Sequence, residues 1–331
     1  MALKPLLAIT MGDAAGIGPE IILKSIYHPP IARQCRFIII GDYLIFKEMA
    51  QKLGLSLDWI LIDKSPFSIK NKIGFWDIHN LKKIPAYGRV HKACGISAIT
   101  SIKKAVELAL NNEVAGIVTA PLNKEILKKA GSPHHGHTEL LAELTHSRQF
   151  GMAFTGGGLK LILATIHEPL AKVPRLITRE RVLESILLAH RAGQELGIPN
   201  PKIGVAGLNP HAGENGMFGD EEILSIIPAI QAAKKRKVMA LGPIPPDTLF
   251  HRTLQGEFDF VVAMYHDQAL IPLKTLDFYG GVNITIGLPI VRTSPDHGTA
   301  YNIAGQNKAN PASMAEAILT AVKLARNRGL A

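Results

Sequence analysis

Only two cysteines, Cys35 and Cys94, occur in the 331 residues. That excludes a disulfide framework and a multi-cysteine zinc knuckle, and with no Cys-x-x-Cys pairing both read as ordinary buried or partly buried thiols. Aromatic residues are scarce at 6% and charged residues few at 19%. No apolar stretch approaches the ~18–20 residues of a membrane span, so no membrane partner is expected. The opening Met1-Ala2-Leu3-Lys4-Pro5 lacks a charged region, apolar core and cleavage site in series, which points to the cytoplasm. Three familiar motifs are also missing. There is no phosphate loop, no His-Glu-x-x-His, and no Gly-x-Gly-x-x-Gly, because Ile21 stands where the third glycine after Gly16-Ile17-Gly18 would be.

What is present is an aliphatic chain, 47% hydrophobic with 30 Gly and 21 Pro, which excludes disorder and suits tight connections in an α/β core. Lys and Arg number 37 against 27 Asp and Glu, a net +10. A nucleic-acid surface would interleave basic clusters with aromatics. The one dense run, Lys234-Lys235-Arg236-Lys237, ends a helical pattern, where cations suit the dipole. No nucleic-acid partner is expected; the excess charge favours anionic small molecules.

Apolar runs predict strands at Leu6–Thr10, Phe37–Ile40, Trp59–Ile62, Gly116–Thr119, Leu161–Thr165, Ile203–Ala206, Phe260–Met264 and Val282–Ile286. Amphipathic stretches predict helices at Ile17–Ser25, Tyr43–Leu53, Ser97–Asn111, Lys124–Ala130, Thr138–Leu144, Arg179–Leu196, Glu221–Lys234 and Ala312–Arg326. Gly156-Gly157-Gly158 reads as a hairpin turn. Alternation of this kind predicts an α/β fold with a largely parallel sheet.

Ligands of such sheets bind beyond the carboxyl ends of the strands. Polar residues stand there throughout: Asp13, Asp42, Asn123, His167, Asn209 with His211, and His266 with Asp267, followed by Arg292 and the Asp296-His297-Gly298 turn after the last sheet segments. His167, His211 and His266 follow three separate strands. They are either loop histidines with their own hydrogen bonds or imidazole ligands of a divalent metal with open positions, with Asp247 and Asp267 as nearby acceptors. His134, His135 and His137 precede a helix at Thr138, where an anion could be received or the first turn simply capped. The Thr10–Glu20 segment, a strand, a glycine-rich turn and a helix opened by Pro19, is an anion cradle or a tight βα turn.

At these residues the chain resembles the 4-hydroxythreonine-4-phosphate dehydrogenase family of vitamin B6 biosynthesis. The resemblance runs from Thr10–Glu20 to the final helix and is carried by Gly136-His137-Thr138-Glu139, Thr165–Leu170, Gly207–Glu214, Pro246–Phe250, Ala263–Gln268, Gly281–Pro289 and Arg292–Ala300. Departures are small: Ala14 stands where proline is usual, and His135 where threonine is common. The resemblance implies two α/β lobes around a cleft, similar to isocitrate and isopropylmalate dehydrogenases, with a nicotinamide site that does without the Rossmann fingerprint. It implies a first lobe of about 1–127 plus 284–331 carrying the cofactor loop, a second of about 128–283 carrying metal and substrate residues, and a homodimer. Matched positions make His167, His211 and His266 divalent-metal ligands shared between subunits, one division placing His167 and His266 on different chains. They make His137, Thr138, Lys274, Asn283 and Arg292 substrate residues, and Asp296, His297, Gly298, Thr299 and Ala300 the cofactor loop.

These residues suit an NAD- or NADP-linked oxidation of 4-phosphooxy-L-threonine, assisted by one zinc, magnesium or cobalt ion per site, to a β-keto acid that decarboxylates to 3-amino-2-oxopropyl phosphate. Lys274 and Arg292 would bind anionic groups; Asp247 and Asp267 are the candidates for orienting a ligand or moving a proton. Two other readings remain: a dehydrogenase of threonate or erythronate 4-phosphate, and a metal-dependent hydrolase or phosphate-binding protein.

Overall fold

A computed structural model describes residues 4–63, 73–134 and 136–330. His135 and the first three residues of the N-terminal segment lie outside the described residues. The chain forms two compact units, Met1–Arg148 with Leu288–Ala331, and Gln149–Gly287.

The first unit begins β1 (Leu6–Thr10), α1 (Gly18–Ile26), α2 (Pro29–Ala32), β2 (Arg36–Gly41), α3 (Tyr43–Leu53), β3 (Trp59–Leu61) and β4 (Ile73–Asp77). It continues through α4 (Lys92–Leu110), β5 (Gly116–Thr119), α5 (Lys124–Lys129) and α6 (His137–Leu144). The second unit contains β6 (Gly151–Gly156), β7 (Leu159–Leu163), α7 (Val173–Leu176), α8 (Arg179–Glu195), β8 (Ile203–Ala206), α9 (Ile227–Lys235) and β9 (Ala240–Ile244). It closes with α10 (Pro246–Leu254), β10 (Phe260–Ala263), α11 (His266–Leu276) and β11 (Val282–Ile286). The chain then returns to the first unit as β12 (Arg292–Pro295) and α12 (Ala312–Asn327).

In the first unit the strands run β3-β4-β2-β1-β5-β12, all parallel. β1 is buried along its whole length, as expected of a parallel strand covered on both faces. Order in the second unit is β11-β6-β7-β10-β8-β9, antiparallel across β11-β6-β7 and parallel from β7 onward. The β6–β7 hairpin turns on Gly157 (φ 56) and Gly158 (φ 85), where two positive φ values match the twist of the strands. Phe154, Leu161, Leu163, Leu249, Phe258, Val261 and Leu273 pack the core beneath it.

The unit boundaries differ from the sequence expectation over 128–148 and 284–287. Helix α6 packs on α4 and so belongs to the first unit. β11 keeps its pairing with β6 as far as Ile286 opposite Gly151. Four strands escaped the sequence reading. β4 and β6 are interrupted or bounded by glycine, and β9 contains Gly242 and Pro243. β12 is polar at its first three positions and ends in Pro295, yet is wholly buried. Arg292 therefore opens a strand rather than following the sheet. Helix α11 contains Pro272, a residue that argues against a helix interior.

Candidate active site

Parallel pairing places the histidines. β10 lies between β7 and β8, with Ala263 opposite Leu163 and Val262 opposite Val205. His167, His266 and His211 thus leave the carboxyl ends of three adjacent strands. Buried Thr165 ties two of those ends together, its Oγ1 donating to the Met264 carbonyl at 2.7 Å. The rings of His167 and His266 then stand with centroids 5.7 Å apart. Two imidazoles on one tetrahedral ion have ring centres about 5 Å apart, given metal–nitrogen distances of about 2.0–2.1 Å. The pair fits half of a metal site.

Helix α11 begins at His266, and Asp267 in its first turn sits 2.7 Å from His266 Nδ1. That contact orients the ring and leaves Nε2 as the nitrogen that could hold a metal. His211 departs from the pair: its ring lies against Phe218, centroids 6.1 Å apart. Among the described residues, no three His, Cys, Asp or Glu side chains gather to hold one ion. Within one chain the His167 and His266 rings are neighbours, which favours a division that keeps these two together over one that separates them.

Other polar residues at strand ends are already employed. Asp42 accepts from Leu81 N–H at 2.7 Å and Ser97 Oγ at 2.5 Å. Asn123 caps α5 through Glu125 N–H, and Asn209 donates to Glu221 and Glu222. Asp13 accepts from Ala15 N–H at 3.0 Å and from the Tyr301 hydroxyl; burial raises its pKa above the usual value against the opposing pull of those bonds. Residues 11–20 are buried throughout, so the Thr10–Glu20 segment is a tight βα turn rather than an open anion cradle. Both cysteines are free and buried, and burial pushes each thiol up to about 12.

In the first unit, Arg292 is 3% exposed and directs both Nε (3.2 Å) and a terminal nitrogen (2.7 Å) to Thr119 Oγ1 on neighbouring β5. Burial draws its pKa down to about 10, with the Glu139 carboxylate acting in the opposite sense. His137 opens α6 behind Gly136, whose backbone is the N-cap without any side-chain cap. Neither His137 nor Thr138 caps the helix. Burial, and then the charge of Arg292, hold His137 well below its ordinary pKa. Its Nε2 is shielded from water and has no hydrogen-bond partner among the described residues, and Thr138 beside it is buried. A cation, a partnerless imidazole nitrogen and a helix N-terminus suit an anion.

The other residues expected at the site are dispersed. Asn283 lies on β11; its Nδ2 meets Met152 Sδ at 3.4 Å while buried Oδ1 has no partner among the described residues. Lys274 stands in the last turn of α11 with Nζ 5.8 Å from the Phe278 ring. Asp247, exposed in the first turn of α10, is not brought to the histidine pair by any contact described. Asp296, His297 and Gly298 form a partly exposed bend, whereas Thr299 is buried and its carbonyl accepts Ile17 N–H at 3.1 Å. Ala300 has φ 42. The loop is anchored at Thr299 and Tyr301, with exposed His297 and Gly298 before them. Sequence reasoning missed Thr119, Tyr301, Gln268 and Glu222. Only Thr119, ending an apolar strand, carried any signal.

Paired imidazoles stand at strand ends in one unit, and a buried cation by a helix N-terminus in the other, in a protein of the α/β class. The chain belongs to the family described as Pyridoxal phosphate biosynthetic protein PdxA, whose model matches residues 33–321. It is 46% identical over 329 residues to the 4-hydroxythreonine-4-phosphate dehydrogenase of Geobacter metallireducens, covering 98% of this chain and 97% of the relative. Identity is also 46% to a protein of Oceanobacillus iheyensis named, as an undemonstrated assignment, D-threonate 4-phosphate dehydrogenase, covering 98% and 99%. The crystal structure of 4-hydroxythreonine-4-phosphate dehydrogenase from Klebsiella pneumoniae matches with TM-score 0.90 at 42% identity, covering 98% of this chain and 99% of that one. The chain is an oxidoreductase of mixed α/β fold, which sets the hydrolase reading aside. No helix among the described residues is long and apolar enough to cross a membrane.

Proposed function

We propose that this chain oxidises 4-phosphooxy-L-threonine with NAD or NADP to a β-keto acid that loses carbon dioxide, giving 3-amino-2-oxopropyl phosphate on the route to pyridoxal 5'-phosphate. The observation that carries the proposal is the His167–His266 pair at the ends of β7 and β10. His167 and His266 of one subunit, with His211 of a second copy, would hold one divalent ion. When bound, zinc, magnesium or cobalt supplies Lewis acidity, lowering a hydroxyl pKa and stabilising negative oxygen as carbon dioxide departs. Asp267 fixes the His266 ring; in this role it positions a ligand rather than acting as the base. Asp247 remains the candidate for proton transfer.

Arg292, His137 and Thr138 would bind one anionic group of the substrate, and Lys274 and Asn283 the rest of it. Arg292 is held ready by Thr119, and a phosphate or carboxylate would offer its guanidinium charge-assisted bonds. Asp296–Ala300 would take the nucleotide, so the first unit carries the cofactor loop and the second the metal ligands. The two-lobed cleft implied by the family resemblance is part of this proposal. A homodimer is supported by exposed Leu170, Met217, Phe218, Ile223 and Leu224, which flank the His167 and His211 segments in sequence. Exposed apolar residues that gather into one patch suit a surface for another chain.

The test is NAD(P)H formation by purified protein offered 4-phosphooxy-L-threonine, threonate 4-phosphate and erythronate 4-phosphate, with both nucleotides and each metal. Highest kcat/KM on the threonine-derived phosphate is expected. The threonate reading is retained because the relative bearing that name is as similar as the one above. Preference for threonate 4-phosphate would replace the substrate and leave the site intact.

A further inference from the structure

His211 sits in a backbone conformation that needs a cause. His211 (φ 53), Ala212 (φ 54), Gly213 (φ 81), Glu214 (φ 40) and Asn215 (φ 57) form an unbroken left-handed run. L-residues avoid this region because Cβ approaches the next carbonyl oxygen, and they visit it singly. Four non-glycine residues in one run persist only where their surroundings over-determine the turn.

One buried carboxylate braces the entry to this run and packs against its middle. Glu222, 2% exposed, accepts Leu208 N–H at 2.7 Å and Asn209 N–H at 2.8 Å on one oxygen, and Asn209 Nδ2 at 2.9 Å on the other. The same carboxylate fills the inside of the turn: a Cβ on Gly213 would come within 2.7 Å of its Oε2. Glu222 opens a π-helical turn, Glu222–Ile226, that leads into α9. Such wide turns cluster at functional sites; this one buries Glu222 and Ile226 and leaves Ile223 and Leu224 outside. From the β10 side, Gln268 Nε2 donates to the Gly207 carbonyl at 2.8 Å while its Oε1 accepts Met264 N–H at 2.6 Å. The strand end bearing His211 is thereby tied to the one bearing His266.

We propose that Glu222 is the positioning residue for His211: it holds the left-handed turn that presents this imidazole to a divalent metal. The inference rests on the reading of His211 as a metal ligand. Full-length dimeric protein, stripped of metal, is titrated with cobalt in the wild type, Glu222→Gln and His211→Ala. Glu222→Gln should weaken cobalt binding about 10–100-fold and change the visible spectrum of the cobalt-loaded protein, with nucleotide affinity unchanged. A merely structural role would lower the melting temperature but leave affinity and spectrum of the folded protein as they were; that result overturns the inference. Undiminished cobalt binding by His211→Ala instead overturns the metal assignment on which it rests. If Glu222→Gln does not fold, Glu222→Asp replaces it. The shortened carboxylate should still cost several-fold in affinity, and wild-type binding there overturns the inference equally.

Discussion

Arg292 and His266 serve the same proposed reaction, yet their surroundings are opposite. Arg292 is 3% exposed, starts a buried strand and spends two N–H groups on one neutral hydroxyl. Beside it His137 is held neutral, with a nitrogen shielded from water and without a partner among the described residues. His266 has 40% of its side chain exposed, and His167 and His211 lie on the surface. Burying a guanidinium this way costs stability unless hydrogen bonds and opposite charge offset it. In the proposed function, the core of the first unit holds its anion-binding groups in place in advance. On the histidine face of the second unit two imidazoles meet, the third packs on Phe218, and exposed apolar side chains accompany it. Under the proposed function, completion there falls to a second copy of the chain.

The largest expected effect would break the open half. His211→Ala and His266→Ala should each lose metal-dependent turnover by more than the ~10–100-fold typical of outer partners. Mixed after demonstrated subunit exchange, the two should regain about a quarter of wild-type activity. Half of randomly paired dimers are then mixed, and each has one intact site of two. Mixing His167→Ala with His266→Ala should regain nothing, because both belong to the same half. Recovery in the second mixture, or none in the first, would show that the ligands are divided differently.

An intermediate effect tests the buried half. Arg292→Lys keeps a positive charge but cannot reproduce the planar fork. Loss of charge-assisted contacts worth roughly 1.5–3 kcal/mol should raise substrate KM by about one to two orders of magnitude. Nucleotide affinity without substrate should hardly change. Unchanged KM with lost NAD(P) binding would transfer Arg292 to the nucleotide and dissolve the contrast drawn above.

How much of this was legible depends on the kind of signal each residue leaves. β1, β5, β8 and β11 were read with their structural bounds, since apolar runs between turn residues need no tertiary context. β12 left no such trace: Thr293 is buried by donating to the Ala317 carbonyl at 2.8 Å, and Arg292 by reaching Thr119. Those partners are remote in sequence. The histidines were visible because strand ends are where α/β sheets bind ligands, but their pairing was not. It follows from the strand order β7-β10-β8, which no local pattern encodes. Glu222 looked like one more acid in an amphipathic helix until the left-handed turn beside it explained its burial.

The smallest effect sharpens the comparison through pH. His137 has its folded pKa well below 6.5 because burial, and then Arg292, disfavour its charge. Below about pH 6.5 the unfolded chain therefore binds a proton that the folded chain refuses. Stability falls as pH drops from there, until the folded pKa is reached. This residue's share of the slope is at most about 1.4 kcal/mol per pH unit. Urea unfolding between pH 7 and pH 5.5, at fixed protein concentration, should give a steeper pH dependence for wild type than for His137→Gln. Inorganic phosphate should flatten the wild-type slope, because an anion beside Nε2 favours the protonated ring, and should leave the variant's slope unchanged. Equal slopes for the two proteins would mean that water reaches this nitrogen, and that the first unit holds no closed receptor to set against the open histidine face.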